Sequence, residues 1–207
     1  SGTQWSVGAA GNVVWTGVPV RAVIDAMGGA SDGAVYLTGT GGEDIPEGVP
    51  KETLQVERSV PKAAMDQAIL AWEMNGEPLP LAHGGPVRLV IPGYYGVNNV
   101  KYLKRLALTT EESPAKIQQT GYRVRPVGEK GDPSQPSMYE MSVKSWITGP
   151  LMDAATGKVQ IHGVAMGGVS DLEKVEVSTD GGQSWTDAQF LGPDLGRYAW
   201  RPFVLIT

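Results

Sequence analysis

The chain has 207 residues, a formal net charge of −5 and no cysteine. The acidic balance argues against non-specific binding to nucleic acid, and the absence of cysteine excludes disulfides and thiolate metal sites within these residues. No apolar run approaches the roughly 18 residues of a membrane-spanning helix. The 28 glycines and 15 prolines favour a turn-rich fold with many β-strands over a helical bundle.

The N-terminal third predicts short elements separated by glycine. Residues 5–15 are glycine-rich and predict a loop that leads into a strand. Apolar residues at helical spacing over 18–27 predict a short helix that ends at Gly28 and Gly29. A strand is predicted at 35–37, and a short helical turn at 61–67.

The stretch from Met74 to Arg105 carries more hydrogen-bond donors among glycines and prolines than any other part of the chain. Asn75 and Gly76 predict a hairpin, because a type I′ turn needs positive φ at both central residues. The short β-branched run that contains Arg88 predicts a buried strand. A guanidinium in such a strand needs an anionic or carbonyl partner, since an unpaired buried charge is costly.

The glycine-rich turn after that strand points to the same chemistry. Asn98 and Asn99 precede Lys101, and such a turn can aim backbone N–H groups and an ammonium at one anion. The alternative is that Arg88 pairs with a nearby carboxylate and His83 is a hydrogen-bonded loop residue. Residue spacing leaves both interpretations open.

The second half of the chain changes character. Ser113 and Pro114 predict the start of a short helix that runs to Gln119. Residues 126–140 are polar and proline-rich, and they predict a linker. From residue 141 onward, short alternating strands with turns at regular intervals predict an immunoglobulin-like sandwich.

The string ILAWEMNGEPLPLAHGGPVRLVIPGYYGVNNVKYLKRL resembles the hallmark segment of the sulfite oxidase family of molybdenum enzymes. The likeness continues into ESPAKIQQTGY and back into QWSVGAAGNVVWTGVPVRAVIDAMG, and VEVSTDGGQSW resembles the family's C-terminal dimerisation domain. The resemblance implies an α+β sulfite-oxidase-type molybdopterin domain of mixed β-sheets with short helices in residues 1–125. It further implies a linker over 126–140 and an immunoglobulin-like β-sandwich dimerisation domain in 141–207. The molybdopterin domain and the dimerisation domain are both expected to be incomplete in this chain.

The resemblance also implies roles for individual residues. Tyr122 matches the family's active-site tyrosine, and Trp5 matches a tryptophan of the substrate pocket, although by itself Trp5 is first expected to serve packing. The residues that match the family's contacts to the pterin cofactor are His83, Arg88, Asn99, Val100 and Lys101. The cysteine that holds molybdenum in this family is expected upstream of Ser1, so no metal ligand is predicted within the chain.

The function that the resemblance implies is oxidation of sulfite to sulfate at a molybdopterin-bound molybdenum centre. Electrons would pass one at a time to a c-type cytochrome, with haem on a partner subunit, since the chain holds no haem-attachment motif. A homodimer or heterodimer through the C-terminal domain and a periplasmic location are also expected. The alternatives are a related enzyme that acts on another sulfur compound, such as a sulfane dehydrogenase, and a non-catalytic β-rich binding or structural module.

Overall fold

The computed structural model describes residues 10–152 and 155–207, which form two compact units. The larger unit comprises Val13–Glu140, and the described residues of the smaller unit are 10–12, 141–152 and 155–207. Within the described residues, no helix is long and apolar enough to cross a membrane.

The larger unit is built mainly of short strands, with two short helices in its described residues. Its elements are β1 (Trp15–Pro19), α1 (Val20–Ala26), β2 (Tyr36–Gly41), α2 (Lys51–Leu54), β3 (Glu57–Pro61), β4 (Ile69–Met74), β5 (Glu77–Pro78), β6 (Arg88–Val90) and β7 (Leu103–Thr109). Single helical turns of 3-10 or π geometry join them at Lys62–Asp66, Leu81–His83, Gly96–Asn98 and Ile117–Gly121.

These strands form two antiparallel sheets. One sheet has the order β1-β4-β5, with β6 also paired to β4, and the other has the order β3-β2-β7. The predicted hairpin is confirmed: Asn75 and Gly76 have φ of 56° and 80°, and Met74 pairs with Glu77 across the turn. Pro78 lies in the edge strand β5, where a missing N–H breaks no ladder.

One apolar core lies beneath both sheets of the larger unit. Leu37 of β2, Val60 of β3 and Leu89 of β6 are each at most 1% exposed and belong to one cluster. Val20 of α1 joins the same cluster, which explains the apolar stripe seen at helical spacing in the sequence. This packing fixes the direction in which β3 and β6 present their polar residues.

The second half of residues 126–140, the segment predicted as a linker, is hydrogen-bonded to the larger unit. The Met138 amide donates to the Tyr122 carbonyl at 3.0 Å, and the Tyr95 amide donates to the Tyr139 carbonyl at 2.9 Å. Tyr139 also packs against the core of the larger unit. Residues near 138 therefore belong to the larger unit, because their backbone groups complete its hydrogen bonding.

The smaller unit is also built of antiparallel strands. They are β8 (Lys144–Met152), β9 (Val159–Met166), β10 (Glu176–Val177), β11 (Thr186–Asp187), β12 (Gln189–Phe190) and β13 (Arg201–Ile206). Four of them form a sheet in the order β12-β13-β9-β8, and β10 pairs with β11. Phe203 and Ala165, each 1% exposed, lie at the centre of its core.

A turn at Asp180 connects β10 with β11. The Oδ1 atom of Asp180 accepts hydrogen bonds from the amides of Gln183 and Ser184, both at 2.9 Å. Gly181 and Gly182 have positive φ, a conformation that glycine adopts readily in tight turns. Both units thus consist mainly of short β-strands with few helices in their described residues, as predicted, while the immunoglobulin-like arrangement of the smaller unit stays a prediction.

Candidate cofactor site

The turn after His83 is shaped by glycine. The 3-10 turn Leu81–His83 ends at Gly84, which has a left-handed φ of 102° and accepts a hydrogen bond from the Tyr102 amide at 3.1 Å. A Cβ atom on Gly84 would lie 2.7 Å from the Cβ of Lys101, inside any real contact distance. Glycine therefore lets the His83 turn approach the Lys101 segment.

Arg88, the first residue of β6, is bonded to neutral oxygens on both sides. Its Nη1 donates to the His83 carbonyl at 2.8 Å and its Nη2 donates to the Asn99 carbonyl at 3.0 Å. The guanidinium also lies 5.0 Å from the ring centre of Trp15. Among the described residues, no carboxylate forms an ion pair with Arg88. The alternative in which this arginine forms an ordinary ion pair is not what the structure shows.

The charge of Arg88 is therefore left without a counter-charge. Its Nε atom is buried and has no hydrogen-bond partner. Burial lowers the pKa of the Arg88 guanidinium from its ordinary value, and Tyr102 opposes that shift. A half-buried cation with an unused donor fits an anionic group such as a phosphate, which accepts hydrogen bonds from guanidinium in this way.

Asn99, Val100 and Lys101 form the other wall of this site. The Asn99 side-chain carbonyl accepts a hydrogen bond from the Ile91 backbone amide at 2.6 Å. The backbone amide of Asn99 donates to the Gly96 carbonyl at 3.0 Å. Val100 is 1% exposed and packs in the core. The Lys101 ammonium is exposed and donates to the Ala82 carbonyl at 3.0 Å.

These contacts refine the roles predicted for the wall. The backbone N–H of Asn99 was expected to face the ligand, but the Gly96 carbonyl already uses it, so Asn99 contributes by shaping the turn. The Lys101 ammonium is held on the His83 side of the site. We call the group of His83, Gly84, Arg88, Asn99, Val100 and Lys101 the anion cradle.

Tyr122 lies outside the anion cradle, directly after the π-helical turn Ile117–Gly121. The helix predicted from Ser113 to Gln119 is thus shorter and begins later than expected. Single π-turns recur at functional sites. The Tyr122 side chain is 43% exposed, so its phenol is open to a ligand from solution.

The flanks of Tyr122 are fixed although the tyrosine is exposed. Gln118 is fully buried, and its Oε1 accepts from the Ser59 amide at 3.1 Å. Arg123 is 5% exposed, and its Nε donates to the Gln119 carbonyl at 3.1 Å. The backbone on both sides of the phenol is therefore anchored in the unit.

Glu112 anchors Arg123 from a neighbouring loop. Its carboxylate accepts from Arg123 Nη2 at 2.7 Å, from the Ser137 hydroxyl at 3.0 Å and from the Tyr139 hydroxyl. Burial alone would raise the pKa of Glu112, but the hydrogen bonds donated by Tyr139, Arg123 and their neighbours together hold the pKa below its ordinary value of 4.5. Glu112 is therefore a charged anchor at neutral pH.

Arg58 of β3 connects the Tyr122 segment with the anion cradle, and the sequence interpretation missed it. Its guanidinium is 1% exposed and bonds both Asn98, next to the cradle, and the Ile117 carbonyl at the start of the π-turn. The signal that identified Arg88, an arginine inside a short apolar run, is absent at Arg58, because its neighbours in β3 are the polar Glu57 and Ser59.

The structure thus brings five of the predicted residues together, and Tyr122 is connected to them through Arg58. Trp5 lies outside the described residues. Among the residues that the structure describes, no three His, Asp or Glu side chains are grouped to hold a metal ion. The upstream cysteine ligand stays an expectation. Fold and cradle together define a domain that binds an anionic cofactor.

Comparison with known proteins identifies the family to which this chain belongs. The family described as "Oxidoreductase molybdopterin binding domain" matches residues 1–117, and the "Mo-co oxidoreductase dimerisation domain" matches residues 135–200. The chain belongs to the sulfite oxidase family of molybdenum oxidoreductases, and its cofactor is the molybdenum cofactor.

Individual relatives show where within the family the similarity lies. Sulfite oxidase of Gallus gallus is 33% identical over 96% of this chain and 46% of its own length. Inducible nitrate reductase [NADH] 2 of Glycine max is 32% identical over 89% of the chain and 23% of its own length. The crystal structure of the sulfane dehydrogenase SoxCD from Paracoccus pantotrophus superimposes with a TM-score of 0.73 at 30% identity, covering 92% of this chain and 46% of that one. The chain spans less than half the length of these relatives.

Replacing Gly84 by alanine tests whether the anion cradle needs the close approach of the His83 turn to the Lys101 segment. The left-handed φ alone costs a residue with a side chain about 1–2 kcal/mol, and the added Cβ displaces Lys101. We expect a lower urea midpoint and a lower molybdenum content of the intact protein, measured by elemental analysis. Gly96→Ala is the control, because a Cβ there meets nothing within 4 Å. Equal molybdenum content in both variants would show that the close approach is not needed.

Replacing Glu112 by glutamine tests the charged anchor through its pH dependence. The folded-state pKa is lowered, so the carboxylate stabilises the fold above the unfolded value near 4.5 and loses this effect as pH falls through the folded pKa. Thermal melts should therefore place Glu112→Gln below the wild type at neutral pH, with the gap closing under acid. The exposed neighbour Glu111, replaced in the same way, should show a much smaller gap. A gap that is constant with pH would contradict the assignment.

Proposed function

We propose that the protein oxidises sulfite to sulfate and passes the electrons one at a time to a c-type cytochrome. The observation that carries the cofactor-dependent chemistry of this proposal is Arg88, a half-buried guanidinium with an unused donor and no carboxylate partner in the described residues, set in the family's cofactor segment. Similarity to sulfite oxidases over nearly the whole chain supports sulfite as the substrate.

The residues of this chain would hold the cofactor by charge and shape. Arg88 and Lys101 would donate to its phosphate, with His83 at the same rim, while Asn99 and Val100 keep the opposite wall in place. The molybdenum cofactor, when bound, supplies the oxygen transfer and the redox change. The role of the protein here is orientation and electrostatics.

Tyr122 would face the substrate. A phenol O–H can donate one hydrogen bond to a sulfite oxygen. Its exposure gives access from solution, and its anchored flanks fix the direction of that donor. Trp5 would add an indole N–H to the same pocket.

A sulfane substrate is the second candidate, and the structural similarity to a sulfane dehydrogenase favours it. The cradle does not separate the two substrates, because it would contact the cofactor and not the sulfur compound. The partner with haem, a dimer through the smaller unit and a periplasmic location are part of the same proposal. The dimerisation-domain match in residues 135–200 supports self-association or pairing with a partner subunit.

Metal analysis and steady-state kinetics on the intact protein test the proposal. We expect near-stoichiometric molybdenum, and a kcat/KM for sulfite with cytochrome c as acceptor at least about tenfold above that for thiosulfate or a thiol-bound sulfane. A preference for the sulfane compound would favour the second candidate. Metal-free protein from a host that makes the cofactor would favour a non-catalytic binding module.

Replacing Tyr122 by phenylalanine tests the role of the phenol. Loss of one hydrogen bond to a charged substrate costs about 1.5–3 kcal/mol, so kcat/KM for sulfite should fall about 10- to 100-fold. Molybdenum content should stay unchanged, because Tyr122 lies outside the anion cradle. Unchanged turnover and unchanged apparent affinity for sulfite would refute the assignment.

A further inference from the structure

Arg58 is a fully buried charge that the roles described above do not use. Its Nε and Nη2 donate to Asn98 Oδ1 at 3.1 and 3.0 Å, and its Nη1 donates to the Ile117 carbonyl at 3.0 Å. All three bonds end on uncharged oxygens. Within the described part of the chain, no carboxylate lies at ion-pair distance from this guanidinium.

Packing alone does not account for a cation in this position. Burial lowers the pKa of Arg58 to about 10, against the opposing influence of Tyr139 and Glu112, so the group is still protonated at neutral pH. A buried charge is costly unless it is well bonded, and an apolar side chain of similar volume generally packs at least as well. The directions of its three hydrogen bonds are therefore the property that distinguishes Arg58 from an apolar residue.

Those bonds connect the two halves of the site. Asn98 precedes Asn99, whose carbonyl holds Arg88 Nη2 at 3.0 Å in the anion cradle. Ile117 begins the π-turn that ends at Gly121, and Tyr122 follows directly. One planar guanidinium thus connects the loop of the cradle with the turn that carries the phenol.

The residue next to Arg58 reinforces the second connection. The Ser59 amide donates to Gln118 Oε1 at 3.1 Å, so two consecutive residues of β3 hold the π-turn. Asn98 is itself fully buried, and its Nδ2 donates to the Met138 carbonyl at 2.9 Å. Strand β3 is thereby the common support of the cradle loop and the Tyr122 turn.

We propose that Arg58 is a positioning residue, which holds the Tyr122 turn in register with the anion cradle and acts on the substrate through Tyr122. This inference rests on the proposed oxidation of sulfite. A lysine cannot replace the arginine, because an ammonium is a single point and cannot reach Asn98 Oδ1 twice and the Ile117 carbonyl at once.

A double-mutant cycle tests the route through Tyr122. Arg58→Lys should lower kcat/KM for sulfite, per molybdenum bound, about tenfold when Tyr122 is present and less than about twofold when Tyr122 is already phenylalanine. Arg21→Lys, a matched change at an exposed arginine of α1, should leave kcat/KM unchanged. The same fold-loss in both backgrounds, or a loss explained wholly by lower molybdenum content, would overturn the proposal.

Hydrogen exchange followed by mass spectrometry tests the link without reference to activity. In Arg58→Lys, the amides of residues 117–122 (the π-turn and Tyr122) should exchange about tenfold faster, and so should those of residues 96–99, the loop next to the cradle. Arg21→Lys should leave the exchange rates of both segments unchanged. Unchanged exchange over 117–122 would overturn the positioning role. If Arg58→Lys does not fold, Asn98→Ala keeps the cation and its bond to Ile117, and it enters the same cycle and the same exchange measurement.

The two measurements also separate this proposal from the proposed function. A fully loaded wild type without sulfite turnover refutes sulfite as substrate, and hydrogen exchange then still decides whether Arg58 couples the two segments. A wild type that oxidises sulfite, with additive losses in the cycle, refutes Arg58 alone. Coupled kinetics together with coupled exchange support both.

Discussion

Two arginines, hydrogen-bonded only to neutral oxygens, hold together the segments of the candidate site in the larger unit. Arg88 is held by the carbonyls of His83 and Asn99, and Arg58 by Asn98 and the Ile117 carbonyl. Neither has a carboxylate partner among the described residues, so positive charge is retained inside the fold without neutralisation. Such an arrangement is costly in isolation and becomes favourable when an anion binds next to it.

Strands of two different sheets bring these arginines to neighbouring residues of one loop. Arg88 stands at the start of β6, which pairs with β4, while Arg58 lies in β3, which pairs with β2. Residues 96–101 run between the two, and the Leu89 amide donates to the Val100 carbonyl at 2.9 Å. The loop that would contact the cofactor is thus held by the backbone bond to Leu89 and by the guanidinium groups of Arg58 and Arg88. Its conformation is therefore set before a ligand binds.

The sequence predicts those parts of the site that depend on local chemistry. The hairpin at Asn75 and the strand around Arg88 follow from turn propensities and apolar runs. The π-turn before Tyr122 and the role of Arg58 do not, because they depend on contacts between residues more than 30 positions apart, such as the bond from Arg58 to Ile117 with a separation of 59. Local pattern says that an arginine in a strand needs a partner, but only the tertiary fold says which partner it finds.

The contrast between Tyr122 and its neighbours shows why the buried polar groups are worth their cost. A phenol that meets a soluble substrate has to be exposed, and an exposed side chain on a free loop would lose orientation to conformational entropy. Here Gln118 and Arg123, on either side of the tyrosine, are buried and bonded, so the backbone that carries the tyrosine is held in place. The buried network around Glu112 and Arg58 therefore fixes the backbone that carries the Tyr122 phenol, just as strand β6 fixes the backbone that carries Arg88.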